Sequence, residues 1–347
     1  MQNASKRISP LMPSHKILGK VNKSWIIFAY MKKIAFIINP ISGTGNKEHL
    51  IEYLHETFLP AKGYEAIYHM TKGSQDAYEA SKGFVEQGFD IVVAVGGDGT
   101  VNQVAKGLLY SNTRLAIIPF GSGNGLARHL KVPLSYFGAV DTILQGNTVE
   151  IDAARINDEI FFCTAGLGFE AVIGDRFNTA GTRGLITYME YCAKEYVKYV
   201  RESYTIEIAG KVYDSKAFLI TFANSAQWGN NVFIAPEASI SDGMIDMVIW
   251  KRAPLVSMPI LAAELLLKTI QYSEFVDTFR AKSVKIRRRK PGLIQFDGES
   301  RYMGEDIEVA VLEHAIKVMV PADNDPLAFT RYIVPQLKEM LPRIPEL

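Results

Sequence analysis

The sequence predicts an α/β N-terminal domain with a parallel sheet, followed by a mainly antiparallel β-sandwich domain. Three observations point there. Aliphatic strands alternate with helical stretches from Ile34 to Ile118; glycine-rich loops follow three of those strands; and hairpin signals replace the alternation beyond about residue 150. Near-continuous aliphatic strands separated by amphipathic helices belong to a sheet covered on both faces. In order, the pattern gives a strand over 34–38, a helix over 47–57, a strand over 65–70, a helix over 74–87, a strand over 91–95, a helix over 100–109 and a strand over 115–118. Asn157-Asp158 then lies between the apolar runs 153–156 and 160–163, Ala209-Gly210 follows the alternating run 205–208, and Gly304-Glu305 precedes the run 307–311. Such dipeptides between short apolar runs are hairpin signals. Helices are expected over 182–200, 254–271 and 327–341. The resulting organisation is a leader over 1–30 that does not fold, a nucleotide-binding domain over 31–150, a β-sandwich domain over 151–321 and a helical tail over 322–347.

Composition narrows the function classes. With 347 residues, 48% hydrophobic and 22% charged, the chain is globular and long enough for two domains. A formal net charge of +1 gives no reason to expect a nucleic-acid coat. Two cysteines, Cys163 and Cys192, cannot build a disulfide framework or a four-thiolate zinc site, and a reducing cytoplasm is expected. No stretch reaches the roughly 20 apolar residues of a membrane span. The run 25–30 is stopped by Lys32 and Lys33, and the run 253–267 is short, carries Pro259 and Glu264, and is expected as a packed helix. The leader holds five of the basic residues and none of the acidic ones, which leaves the chain from Met31 onward mildly acidic. It has no apolar core followed by a cleavage site, so it does not read as a signal peptide. Met31 is expected to be the natural start.

The chemistry lies in the loops. The strand over 91–95 runs into Gly96-Gly97-Asp98-Gly99-Thr100 and then a helix. Glycines remove Cβ atoms where backbone approaches a ligand, and a helix N-terminus offers N–H groups and a positive dipole end, so a phosphate fits there. A second cluster, Pro119-Phe120-Gly121-Ser122-Gly123-Asn124-Gly125, follows the strand over 115–118, and a third, Asn39-Pro40-Ile41-Ser42-Gly43-Thr44-Gly45, follows the first strand. In an open parallel sheet the strand C-termini share one edge, so the three loops converge on one crevice. The dinucleotide fingerprint, the G-x-x-x-x-G-K-[ST] loop and the protein-kinase motifs are all absent. Asp297-Gly298 reads equally as a hairpin turn or as a functional acid. Asp242-Gly243 is likewise a good turn. His129 is expected at the surface, and the basic run 285–290 as a solvated strand face with lipid-headgroup docking as its alternative.

Taken together, Asn39-Pro40-x-Ser42-Gly43, Gly96-Gly97-Asp98-Gly99-Thr100-x-Asn102, Pro119-x-Gly121-Ser122-x-Asn124 and Phe296-Asp297-Gly298-Glu299 resemble the diacylglycerol kinase catalytic-domain family, which includes soluble bacterial lipid kinases and the sphingosine and ceramide kinases. The resemblance runs from about 31 to 320. It implies ATP bound between the α/β domain and a β-sandwich, a lipid hydroxyl as phosphoryl acceptor, and Mg²⁺ as cofactor. Asn39, Pro40, Ile41, Ser42 and Gly43 would touch the phosphates and Thr71 the base. Gly97, Asp98, Gly99, Thr100, Val101, Asn102 and Gln103 would form the main phosphate loop, completed by Ser122. Asp98 would help hold Mg²⁺, Asp297 would accept the proton of the lipid hydroxyl, and Glu299 would stand beside it. The segment from Ala235 to Asp246 resembles the family's structural magnesium loop, with Asp242 and the carbonyls of Ser239 and Met244 as ligands. Asp152 matches an acid near the domain junction. Gly125 after Asn124 is closer to the sphingosine and ceramide kinase version of that loop than to the common bacterial one, which leaves diacylglycerol and a sphingoid lipid both open. The implied partners are a lipid substrate met at the membrane surface by a cytoplasmic, transiently attached enzyme, and a second copy in a homodimer. A soluble-metabolite kinase related to NAD kinase and a non-catalytic nucleotide- or lipid-binding module stay as alternatives.

Overall fold

The computed structural model describes residues 31–43, 47–73, 75–179 and 185–322. The leader, the expected helix over 327–341, Thr44 and Gly45 lie outside the described residues. The first unit alternates as the aliphatic pattern requires: β1 (Lys32–Ile38), α1 (Glu48–Thr57), β2 (Tyr64–Met70), α2 (Asp76–Glu86), β3 (Ile91–Gly96), α3 (Asp98–Gly107), β4 (Arg114–Pro119), α4 (Gly125–His129) and α5 (Tyr136–Gln145). Strands β2, β1, β3 and β4 pair side by side in parallel. All six residues of β3 are buried, because helices cover both faces of the sheet. Each such Val or Ile contributes about 1.5–3 kcal/mol by leaving water.

The second unit comprises β5 (Thr148–Ile156), β6 (Glu159–Phe161), β7 (Thr164–Gly168), α6 (Phe169–Thr179), α7 (Leu185–Lys198), β8 (Glu202–Ile208), β9 (Lys211–Ala217), β10 (Leu219–Ala223), β11 (Gln227–Gly229), β12 (Val232–Phe233), β13 (Ile245–Trp250), α8 (Met258–Leu267), β14 (Val276–Ala281), β15 (Ser283–Arg288), β16 (Gly292–Phe296), β17 (Glu299–Met303) and β18 (Asp306–Met319). A six-stranded antiparallel sheet runs β14-β13-β10-β7-β16-β17. Its inner face packs against β8, β15 and β18 through Ile206, Ile220, Phe222, Met247, Ile286 and Phe296. Strands β8 and β15 alternate buried and exposed residues, which is the pattern of one face in a sandwich core and one in water. A helical layer with Phe169, Ile173, Tyr196 and Leu261 covers part of the other face of the six-stranded sheet.

Two strands cross the expected border at residue 150. β18 pairs parallel with β4 at Lys317 and Val318, and antiparallel with β15 at its other end. β5 pairs with β18 over nearly its whole length, interrupted by a register shift between Leu312 and Ile316. The parallel sheet therefore continues into one ten-stranded sheet that also forms half of the sandwich. Asn157-Asp158 and Ala209-Gly210 turn hairpins as expected. Gly304-Glu305 instead carries the chain between sheets, since β17 pairs with β16 and β18 with β15.

Candidate active site

Helix α3 begins at Asp98, two residues before the expected start, so this acid stands in the first turn. Its carboxylate faces the loop after β4: Asn124 N–H donates to Oδ2 at 2.9 Å and Gly125 N–H to Oδ1 at 2.7 Å. Asn124, at φ 48°, folds back to accept Gly121 N–H at 2.8 Å and to donate to the Gly121 carbonyl at 2.7 Å. The two loops touch glycine to glycine. A Cβ on Gly121 would sit 2.7 Å from Gly97 Cα, and one on Gly123 would sit 2.8 Å from Asp98 Oδ2. These glycines thus permit loop packing as well as ligand approach, whereas a Cβ on Gly99 would meet nothing within 4 Å.

The loop after β1 joins the same edge. Asn39 Nδ2 donates to Thr100 Oγ1 at 3.1 Å, and Ser42 Oγ donates to the Asn39 carbonyl at 3.0 Å. Lys47, buried and unremarked by motif, anchors this loop by donating Nζ to the carbonyls of Pro40 at 3.2 Å and Ser42 at 2.5 Å. Burial lowers its pKa. Pro40, Ile41 and Gly43 are exposed on the loop, and Thr71 follows β2, its N–H donating to the Ile38 carbonyl.

Asp297-Gly298 is both of the things its sequence allows. It turns the β16–β17 hairpin with φ of 46° and 89°, and it sets a half-buried carboxylate between 162–164 of its own unit and Asn102 of the other. Oδ1 accepts N–H groups from Cys163 at 2.8 Å and Thr164 at 3.1 Å; Oδ2 accepts from Phe162 N–H and Asn102 Nδ2, both at 2.7 Å. Burial raises the Asp297 pKa, and the four donors oppose that rise by favouring the anion. Lys106, one turn along α3 from Asn102, lies near Asp297 and Glu299, whose charges oppose the lowering that burial imposes on it. Cys163 is half-buried on the cavity wall and its thiol is pushed well up, by desolvation first and then by Asp297 and Asp98, so it is no thiolate nucleophile.

A cavity of about 270 Å³ lies where these elements meet. Asp98, Val101, Asn102, Ser122 and Asp297 all line it. Gly97, Gly99, Thr100, Gln103, Glu299, Thr71 and the first loop lie outside that lining. Motif reading missed the backbone donors of 162–164, which carry no side-chain signal. It also missed Glu170, Trp228 and Gln295 on the cavity wall. Glu170 is buried, accepts a hydrogen bond from Thr221 Oγ1, and is pushed up to about 8, chiefly by burial.

The remaining expectations divide. Asp152 is buried at the junction, where Oδ2 accepts Gly243 N–H at 2.8 Å and Oδ1 accepts His314 N–H at 2.7 Å. It pins the loop before β13 to the register shift in β18. Beside Asp242 the cation is Arg280, which pairs with its Oδ2 and reaches Asp246 at 3.5 Å, while Met244 N–H donates to Asp242 Oδ1. The loop of Ser239, Asp242 and Met244 therefore fits a magnesium ion poorly, its acid being already neutralised. Among the described residues no group of three His, Cys, Asp or Glu gathers in metal-binding geometry. His129, expected at the surface, is half-buried: its Nδ1 accepts Ala226 N–H at 3.2 Å, and desolvation lowers its pKa to about 4. The basic run 285–290 is a solvated strand face and turn as expected, with Lys285, Arg289 and Lys290 exposed, but its two central arginines are engaged. Arg288 is buried and donates to the carbonyls of Gly292, Leu293, Met303 and Gly304, and Arg287 pairs with Asp306.

Comparison with known proteins bears on this geometry. Residues 33–156 match the diacylglycerol kinase catalytic domain, and residues 163–320 match the YegS C-terminal NAD kinase beta sandwich-like domain. The chain is 31% identical to the diacylglycerol kinase of Bacillus subtilis over 304 residues, covering 85% of this chain and 98% of that one. It is 25% identical to a diacylglycerol kinase of Staphylococcus epidermidis over 302 residues, 84% of this chain and 93% of that one. A crystal structure of a diacylglycerol kinase from Bacillus anthracis superposes with a TM-score of 0.66 at 23% identity, covering 84% of this chain and 97% of that one.

Proposed function

This chain belongs to the diacylglycerol kinase catalytic-domain family, and from that premise we propose that it transfers the γ-phosphoryl group of ATP to a hydroxyl of diacylglycerol or a sphingoid lipid. The observation that carries the reading is the 2.7 Å bond from Asn102 to Asp297, which brings the phosphate-loop helix and the sandwich turn into one cavity. Phosphoryl transfer passes through a loose transition state, so positioning and charge neutralisation supply most of the rate. The loops of Asn39 to Gly43, Gly97 to Gln103 and Ser122 would take the phosphates on backbone N–H groups, and Thr71 would lie near the base. Magnesium carried with the nucleotide would neutralise phosphate charge there. Asp98 is the carboxylate available to it, directly or through water, since each of its oxygens accepts one N–H and keeps a second acceptor site.

Asp297 is the proposed proton acceptor, with Glu299 and Lys106 setting the charge around it. A carboxylate offers about four acceptor sites, and all four are taken. The three backbone donors are fixed; the Asn102 amide is a side chain and can yield its place on Oδ2 to the acceptor hydroxyl. Burial favours the protonated carboxyl, so Asp297 is a stronger base than an exposed aspartate once ionised.

The test is purified protein with ATP and a lipid panel, read by product mass. Asp297→Asn should lower turnover by about 10²–10⁴-fold with ATP still bound. Unchanged turnover would remove Asp297 from the reaction, and ATP binding with no product from any lipid would leave a non-catalytic module.

A further inference from the structure

The run 253–267 does not pack as its sequence suggests. Of the ten residues of α8, only Leu261 is buried. Val256 in the preceding turn is 85% exposed, Ile260 is 62%, Leu267 is 72%, and Tyr272 just beyond is 77%. Leu255 and Leu266 are exposed as well. No charged side chain interrupts this face: Glu264, the one acid of the helix, turns a buried Oε2 inward. So many large apolar groups in under twenty residues mark a surface that meets something apolar.

Its position says what that is. Helix α8 packs on β12, whose Val232 lines the cavity of Asp98 and Asp297. The helix ends at Lys268, with φ of 62°, and the Lys268 ammonium lies 4.3 Å from the centre of the Phe233 ring on the same strand. The apolar face, a cation and the cavity wall are thus contiguous. An acceptor with acyl or sphingoid chains has to leave a bilayer to reach that wall.

We propose that α8 and its flanking turns dock this protein on an anionic phospholipid bilayer, with Val256, Ile260, Leu266 and Leu267 entering the headgroup and acyl boundary and Lys268 meeting lipid phosphate. The inference rests on reading the chain as a lipid kinase. An apolar face of this kind lies in the plane of the interface, and cationic side chains at its edge reach the anionic headgroups. Of the run 285–290, Arg288 is buried and Lys285, Arg289 and Lys290 are exposed, but no large apolar side chain is exposed among them, so of these two surfaces α8 is the one with both apolar reach and continuity with the site.

The experiment uses the full chain and vesicles of phosphatidylcholine with phosphatidylglycerol, without ATP, read by sedimentation. The wild type should sediment with vesicles, and Ile260→Asp combined with Leu267→Asp should weaken that at least tenfold. Val212→Asp, an exposed apolar position on β9, should leave it unchanged. Turnover of a monomeric short-chain acceptor should be the same in all three proteins. Vesicle binding equal in wild type and the α8 variant overturns the proposal, as does a wild type that does not sediment. A dimer dissociated by the α8 substitutions, with no vesicle binding, would assign the face to a second copy and also overturn it. Selective loss of vesicle binding by the α8 variant in a chain that phosphorylates no lipid would sustain docking and defeat the activity reading alone.

Discussion

Asp297 shows how little room a fully hydrogen-bonded carboxylate leaves. Replacing one oxygen by an amide nitrogen sets N–H groups against the N–H donors of Phe162, Cys163 or Thr164, so Asp297→Asn should cost stability as well as turnover. Asp152 is a purer structural case. Asp152→Ala strands the N–H groups of Gly243 and His314 in the interior, and chemical denaturation should show a loss of about 2–4 kcal/mol. His129 predicts a pH dependence. Its folded pKa of about 4 lies below the 6.5 of an unfolded histidine, so between those values the unfolded chain binds a proton that the folded chain refuses. Its contribution is fully present above pH 6.5 and is lost as pH falls towards 4. Between pH 7 and 5 this amounts to about 2 kcal/mol, and His129→Gln, which keeps an acceptor for Ala226 N–H, should flatten the denaturation midpoint over that range. A retained slope in that variant would move the cause elsewhere.

At the scale of elements, the glycine loops carry two jobs that substitutions can separate. Gly121→Ala drives a Cβ into Gly97 Cα, so the two loops must part at a cost of about 1–3 kcal/mol, with nucleotide affinity lost as a consequence. Gly99→Ala finds open space in the first turn of α3, where alanine favours the helix, and should leave the melting temperature unchanged or raised. If ATP affinity nevertheless falls about tenfold in calorimetry, the missing Cβ is reserved for a phosphate. An unaltered affinity would make Gly99 a matter of sequence alone. The loop pattern and the succession of strands and helices in the first unit were readable because aliphatic runs and glycine clusters are local signals. The start of α3 at Asp98 was not, since its carboxylate is satisfied by the distant N–H groups of Asn124 and Gly125.

For the whole molecule, strands β5 and β18 decide cooperativity. Both run through the parallel sheet and the sandwich, and the Asn102–Asp297 and His129–Ala226 bonds cross between the same two units. Neither unit can lose its strands without exposing an edge of the other, so calorimetry should record one unfolding transition. Two resolved transitions would show that the units are separable in spite of the shared sheet.

By itself the sequence determined the two-unit organisation, the parallel character of the first sheet and the set of residues that carry the family resemblance, because periodicity and glycine spacing are written residue by residue. Only the tertiary structure decided what each acid faces. Asp98 grips a loop, Asp297 is held by four donors, Asp242 pairs with Arg280, and Arg288 is consumed by carbonyls inside the fold. It also decided that α8 is bare. Hydrophobicity says that a segment avoids water, whereas which face finds a partner depends on strands that meet it from far along the chain.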